Sequence, residues 1–476
     1  MALSGLLIQQ EKKDPKRVYI SGRFGQVTCG ETLRQARQLG KFLALSSRIA
    51  GRRSVGICTE SPEYIAYTVW AAIFADISLV FLPLCQNPDM IRRAMKEASV
   101  EVLLTDEPVL LQEPWCLDLK DTLRRALSAD NQQEVSVKVL PTAPGESDAG
   151  FIFQTSGTAG EPKWVQCEYR KFFTVINCML HNGTLEHARG QSVFLTPPLY
   201  HSYGLSAFLE YTAAGGMIIF PQGISPLGPV GDLRDPALRD KITAIEGVPY
   251  FYSQFSKLAD RFIMPALNHL GLGGGGLDNI TFDRLREVYP AVTVSVRYGM
   301  TETPSVVSHR VIQPFSCEDL TSSGPVLPAY SVEIVDGSGR SLDRNQEGEI
   351  IVSGDSVGTY LGQGGNRLFT GDTGYITDSD ELVINGRKSL YIKNRGFRVS
   401  PEQVESVITS FDGVQDCRVL MVDSKLIAEV VYDDGISQGD ILAFMSTRLP
   451  VYAIVNEVVR VESVPRTPSG KIKRYH

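Results

Sequence analysis

The chain alternates between two hydrophobic periods. Residues 31–45 carry apolar positions at helical spacing, whereas 54–58 is a short apolar run that reads as a buried strand. Residues 89–98 read as a second amphipathic helix, followed by a strand over 100–104. Helix-period and strand-period segments that take turns in this way predict α/β layers with parallel strands. Residues 64–84 form an apolar stretch near the length a bilayer requires. Asp76 interrupts its middle and Pro83 its end, while Pro62 and Glu63 suit the first turn of a helix. The stretch therefore predicts a buried helix through Ala75, a turn at 76–78 and a strand over 79–82, not a membrane span.

The rhythm pauses at 140–150, a segment rich in Pro, Gly, Ser and Asp that reads as a loop or linker. It then resumes to about residue 320 and includes an apparent helix over 262–270 and a strand over 292–296. From about 324 the spacing shortens. Strands over 331–335, 348–353 and 381–384, with turns at Asp336-Gly337 and Ser338-Gly339, predict a small β-rich subdomain. The tail beyond Arg387 carries helices over 401–409 and 439–449 and strands over 418–422 and 426–431.

Composition narrows the function classes. A formal net charge of −7 argues against a nucleic-acid coat, which shows as a basic excess. It leaves room for a small phosphorylated ligand. Eight cysteines lie scattered along 476 residues with no CxxC pair, so zinc ribbons and redox dithiols are poor readings. Free, mostly buried thiols of a reducing, cytoplasmic compartment are expected, with no nucleic-acid or membrane partner.

Chemistry concentrates in a few segments. Residues 151–163, FIFQTSGTAGEPK, run from an apolar strand into a loop of hydroxyls and glycines that ends on Pro162-Lys163. Thr155, Ser156, Gly157 and Thr158 with Lys163 can surround an anion. The loop is not a Walker loop, because Pro162 stands where glycine is needed. Residues 271–276 satisfy GxGxxG, but the dinucleotide fingerprint follows a strand and opens a helix, and 262–270 looks helical. The glycines suit close backbone approach to a flat ligand. In RYGMTET, residues 297–303, Tyr298 offers an aromatic face, Thr301 a hydroxyl and Glu302 a hard carboxylate suited to Mg²⁺. In LFTGDTG, residues 368–374, Asp372 can accept two hydroxyl hydrogen bonds, as a ribose would offer. Residues 465–474, PRTPSGKIKR, carry Lys471 on a Gly-kinked loop; alone, this would read as a solvated basic tail.

TSGTAGEPK, YGMTET, TGD, GRKSLYIKNRGFRVSPEQVE and PRTPSGKIKR, in this order, resemble the acyl-adenylate-forming superfamily: acyl- and aryl-CoA ligases, peptide-synthetase adenylation domains and luciferases. The resemblance spans nearly the whole chain. It implies an α/β fold with a β-rich subdomain: a large multi-layered N-terminal domain, 1–388, and a small mobile α+β C-terminal domain, 389–476. It also implies two half-reactions. A carboxylate attacks the α-phosphate of ATP, and a thiol then attacks the adenylate.

By motif, Thr155, Ser156, Gly157, Thr158 and Lys163 would hold the β- and γ-phosphates. Thr301 would meet the α-phosphate and Glu302 the Mg²⁺ ion. Tyr298 would stack on adenine, with Gly274, Gly275 and Gly276 along its edge. Asp372 and Arg387 would bind ribose, and Lys471 would bridge carboxylate and α-phosphate. Lys393 and Gly396 would face the thiol channel. His201, in PPLYHSYGL, would stand beside the acyl group, with Gly299 also in contact. Tyr203, Phe208, Tyr250 and Tyr252 are pocket or core residues with equal claim.

Amino-acid-activating members usually place an Asp near residue 201; here no acid follows until Glu210, which favours an acid without an α-amino group, aromatic or otherwise apolar. The acceptor suggested by Ser400-Pro401 is coenzyme A (CoA), with the phosphopantetheine of an acyl or peptidyl carrier protein, or an amine, as alternatives. A non-catalytic nucleotide-binding module sits poorly with the retained Glu302, Asp372 and Lys471. Three positions depart from the pattern: Ser389 at the hinge, where Asp or Lys is usual, Trp164 where Gly follows the loop lysine, and Asp76 in place of a turn Gly.

Overall fold

A computed structural model describes residues 2–45, 54–82, 87–128, 147–155, 163–222, 228–277, 279–316, 318, 320–361, 365–388, 392–394, 397–399, 401–422, 425–449, 453–466 and 472–473. Among these, two largely parallel sheets build the large domain. The first runs Thr359–Tyr360, Lys163–Glu168, Gly150–Thr155, Ser78–Phe81, Ser54–Cys58, Leu103–Thr105, Cys116–Asp118. The second runs Ser308–Ile312, Thr293–Tyr298, His269–Leu272, Ala244–Gly247, Ser192–Leu195, Met217–Ile219, Val18–Gly22, Gly25–Thr28. Helices Cys29–Leu45, Pro62–Ala75, Tyr169–His181 and Ser202–Ala214 contribute buried side chains to one core shared with both sheets. A five-stranded antiparallel sheet, Ser322–Pro325, Glu381–Arg387, Arg367–Ile376, Gly348–Ser353 and Ser331–Val335, forms the expected β-rich part.

The tail has its own core. Val404 and Ile408 of helix Pro401–Thr409 and Ile441 and Met445 of helix Gln438–Ser446 pack on strands Val414–Val422, Lys425–Tyr432 and Glu457–Arg460. Contacts join it to the large domain: Lys257 Nζ donates to the Gln415 carbonyl at 3.1 Å, and Arg466 lies 4.1 Å from the Tyr250 ring centre. The expected hinge at Ser389 lies outside the described residues, as does most of the expected linker over 140–150.

The helix through Ala75 forms as its residues dictate. Ser61 accepts from the Tyr64 amide, Pro62 occupies the first turn, and Asp76 closes the end in the left-handed region at φ 54°. Asp tolerates that conformation, and Ser147 Oγ donates to its carboxylate at 2.7 Å. No described helix is long and apolar enough to cross a membrane.

Two element readings are corrected. The strand expected over 100–104 is Leu103–Thr105, because the chain must first leave helix Pro88–Glu97 through a turn in which the Val100 amide donates to the Met95 carbonyl. The helix expected over 262–270 is absent. A single 3₁₀ turn, Ala259–Arg261, leads instead to the fully buried strand His269–Leu272. A short apolar run fits a buried strand as well as a helix, and Pro265 forbids a helix interior. The glycine run therefore does follow a strand. What separates it from a dinucleotide fingerprint is its exit: the next helix, Asn279–Val288, opens only after the loop that begins at Gly273.

Candidate active site

The candidates of the large domain gather where strands end. Thr155 closes Gly150–Thr155, Tyr298 closes Thr293–Tyr298, the run Gly274, Gly275 and Gly276 follows His269–Leu272, and His201 follows Ser192–Leu195. Ligands bind beyond the carboxyl ends of such strands. Thr155 and Lys163 face each other as register partners of the antiparallel strands on either side of the expected phosphate loop. Its residues Ser156, Gly157 and Thr158 lie outside the described residues, as do Lys471 and Gly396; Lys393 falls in the strand Ile392–Asn394.

Two clusters form. In the first, Tyr298 donates its hydroxyl to Asp372 Oδ2 at 2.8 Å, while Arg387 Nε donates to Oδ1 at 2.8 Å. Asp372 and Arg387 are cross-strand partners in the five-stranded sheet. Burial, and next the Asp372 carboxylate, hold the Tyr298 phenol far above its ordinary range, so it stays a donor. Burial alone would lower the Arg387 pKa, but the same carboxylate outweighs it and keeps the guanidinium charged.

In the second cluster, Tyr360 donates to Glu302 Oε1 at 2.8 Å, and Lys163 Nζ lies 5.2 Å from the Tyr360 ring centre. The Gly358 amide donates to the Glu302 carbonyl at 2.6 Å and Cys167 Sγ to the Thr301 carbonyl at 3.2 Å. Thr301 Oγ1 is 3.2 Å from Ser202 Oγ, at the start of helix Ser202–Ala214, which His201 immediately precedes. The residues 298–302 thus link both clusters. Gly299 is required for this loop to fold back, because a Cβ there would collide with the Ser305 carbonyl.

The expected acyl pocket is revised. Phe208 is 0% exposed and packs on Tyr19, Trp70 and Phe220; Tyr252 is 0% exposed and donates to the Ile245 and Gly271 carbonyls, both at 2.9 Å. Both are core residues. Tyr250 faces Arg466 of the small domain. Tyr203 remains at the site's floor: its ring packs directly beneath Gly273, and its hydroxyl donates to Glu246 Oε2 at 2.7 Å.

That hydroxyl leads into a buried network the sequence reading missed. Arg297 Nη1 donates to Glu210 Oε2 at 2.8 Å and Nη2 to Glu246 Oε1 at 3.3 Å. His187 stacks on His269 at 4.1 Å and on His309 at 5.3 Å. His187, Glu246 and His269 place one ligand atom each within 4.8 Å of the others. A metal centre does not suit them. Glu246 already accepts from Tyr203, Tyr211 and Arg297, the nitrogens of His269 meet Thr293 and Ser295 hydroxyls, and the guanidinium repels a cation. A carboxylate inside the apolar run AIEGV and a cation inside the alternating run before Tyr298 were the available signals.

The histidines carry a prediction. Burial, then nearby Arg297, pushes His187 down to about 4; burial first, with His187 and Arg297 adding, lowers His269 and His309. The unfolded chain therefore binds more protons below its ordinary histidine pKa of about 6.5. Stability should fall as pH drops from that value toward about 4, by about 1.4 kcal/mol per pH unit for each histidine. Urea midpoints between pH 7 and pH 5 test this; a His187→Gln variant should show a shallower fall. A flat wild-type profile would contradict it.

The chain matches the AMP-binding enzyme family over residues 7–360 and the AMP-binding enzyme C-terminal domain over 403–471. It belongs to that family, the acyl-adenylate-forming superfamily of adenylating enzymes. It is 27% identical over 445 residues to 4-coumarate–CoA ligase CCL1 of Humulus lupulus, covering 88% of this chain and 78% of that protein. Gramicidin S synthase 2 of Brevibacillus brevis is 23% identical over 98% of this chain, a match that spans 11% of that far longer protein. The fold matches O-succinylbenzoate CoA synthetase of Bacillus subtilis, solved with ATP and magnesium ion, with a TM-score of 0.81, 24% identity and 98% coverage of both chains.

Proposed function

We propose that this enzyme joins a small carboxylic acid without an α-amino group to AMP, releasing pyrophosphate, and passes the acyl group to the thiol of CoA. The observation that carries the reading is the segment 298–302, whose ends hold the two clusters. Asp372, held by Tyr298 and Arg387, offers a fixed carboxylate to the ribose hydroxyls. Lys163 supplies charge for the β- and γ-phosphates. Mg²⁺ arrives with ATP, and the hard Glu302 carboxylate suits it. The ion neutralises phosphate charge as the α-phosphorus is attacked.

A carboxylate oxygen of the acid forms the new bond to the α-phosphorus, and the bond to pyrophosphate breaks. Thr301 and the amide end of helix Ser202–Ala214 flank that position and favour its developing negative charge. The acid enters beside His201, above Tyr203 and against the glycine run and Pro249. Glu210, fully buried and bound to Arg297, is not free to hold an α-ammonium. That supports an acid lacking one. Loading of a carrier-protein thiol is the second reading, favoured by the full-length match to a segment of gramicidin S synthase 2.

Pyrophosphate release with ATP and a panel of aromatic and aliphatic acids tests the reading, followed by the mass of the product formed with CoA or a holo-carrier. If no acid elicits ATP-dependent pyrophosphate release, the reading fails. Glu302→Gln should lower the adenylation rate by about 10²-fold and move the Mg²⁺ titration to higher concentration. An unchanged titration curve would make Glu302 structural.

A further inference from the structure

Tyr360 touches both charged groups of the phosphate-facing cluster, and the known motifs leave it without a role. It ends a two-residue strand, Thr359–Tyr360, on the edge of the seven-stranded sheet, with Tyr360 opposite Val165. This strap is firmly tied. The Leu361 amide donates to the Trp164 carbonyl at 3.0 Å, and Lys171 Nζ donates to the Val357 carbonyl at 2.8 Å. Lys171 is itself buried and paired with Glu168 at 2.6 Å. Trp164, the unusual residue after the loop lysine, is anchored by Nε1 to Glu97 at 3.3 Å. The backbone that carries Tyr360 is therefore fixed from three sides.

We propose that Tyr360 is a positioning residue that holds Lys163 and Glu302 apart in the orientation MgATP requires. Both opposite charges lie against this one ring; without it they would be free to pair with each other, and nucleotide binding would first have to break that pair. The phenol prevents this with two different surfaces. Its electron-rich face receives the Lys163 ammonium, and its hydroxyl donates to Glu302 Oε1. The ammonium is held off the carboxylate and stays available to the nucleotide's phosphates. The carboxylate is oriented by one neutral donor that leaves its charge available to a metal ion. The inference rests on the reading of Glu302 as the Mg²⁺ carboxylate.

Two variants separate the two surfaces. Tyr360→Phe keeps the ring and removes the hydroxyl; Tyr360→Leu removes both. Nucleotide affinity is read by the fluorescence of nearby Trp164, once with ATP in EDTA and once with MgATP. Tyr360→Phe should retain metal-free ATP affinity but raise the half-saturating Mg²⁺ concentration about tenfold. Tyr360→Leu should weaken metal-free ATP binding as well. Thioester formation from supplied acyl adenylate should stay at the wild-type rate in both, whereas a merely structural loss would slow both half-reactions and leave the Mg²⁺ titration in place. If Glu302→Gln shifts the Mg²⁺ titration and Tyr360→Phe does not, the role of Tyr360 is overturned while the functional reading stands. If Glu302→Gln shifts nothing, the metal reading falls and takes this inference with it.

Discussion

Lys471→Ala should cut pyrophosphate release by about three orders of magnitude while thioester formation from supplied acyl adenylate survives. A lone cation aimed at the transferring phosphoryl group supplies that scale of transition-state stabilisation. Lys471 lies outside the described residues, but the frame around it is defined. Arg466 and Ile472 form an antiparallel bridge, the Lys473 amide donates to the Pro465 carbonyl at 2.9 Å, and Arg418 Nη1 donates to the Lys473 carbonyl at 2.7 Å. The described residues on either side of the lysine, Arg466 and Ile472, are thus held together. Arg466 pairs with Asp416 through Nε at 3.1 Å and lies over the ring of Tyr250, on helix Pro249–Ser256 of the large domain. Arg466 thus ties this part of the small domain to the large one. The expected mobility of the small domain implies a second pose for thioester formation, with the lysine withdrawn. Measuring the two half-reactions separately decides the matter: equal loss in both would show that Lys471 holds the fold or both poses, not the adenylation step.

The parts of this enzyme legible in the sequence are those whose physics is local. Helix Pro62–Ala75 could be separated from a membrane span because Pro62, Glu63 and Asp76 mark its ends within a few residues. The end of strand Gly150–Thr155 was legible because a strand gives way where hydroxyls and glycines replace apolar residues. The strand His269–Leu272 was misread because a run buried on both faces has no period to distinguish it from a helix. The same limit applies to the pocket. Phe208 and Tyr252 have the right residue type and lie near the right motifs, yet each points into the core. Tyr360 and Glu302 are 58 residues apart, and Arg297 and Glu210 are 87 apart. Only the packing of separate strands and helices brings such pairs together, and no spacing rule along the chain reports it.

Arg297→Met should destabilise the large domain by about 3–5 kcal/mol, a large share of the roughly 5–15 kcal/mol that holds a domain folded. The side chains of Glu210 and Glu246 are 0% exposed and that of Arg297 2%. With the guanidinium gone, two carboxylates would remain in the core with hydroxyl partners but no counter-charge. Methionine fills much of the same volume, so the loss would report charge and not a cavity. The guanidinium also lies 5.3 Å from the ring centre of Tyr203, whose hydroxyl shares Glu246. Relaxation of this network would therefore loosen the floor beneath the glycine run as well. Urea denaturation should show the midpoint of Arg297→Met well below wild type. Adding Glu210→Gln and Glu246→Gln to that variant should restore most of it, because neutral amides no longer need the cation and can still meet the Ser206, Tyr203 and Tyr211 hydroxyls. A single variant with the wild-type midpoint would show that the carboxylates do not depend on Arg297. A triple variant as unstable as the single one would place the loss in packing around the Arg297 stem instead.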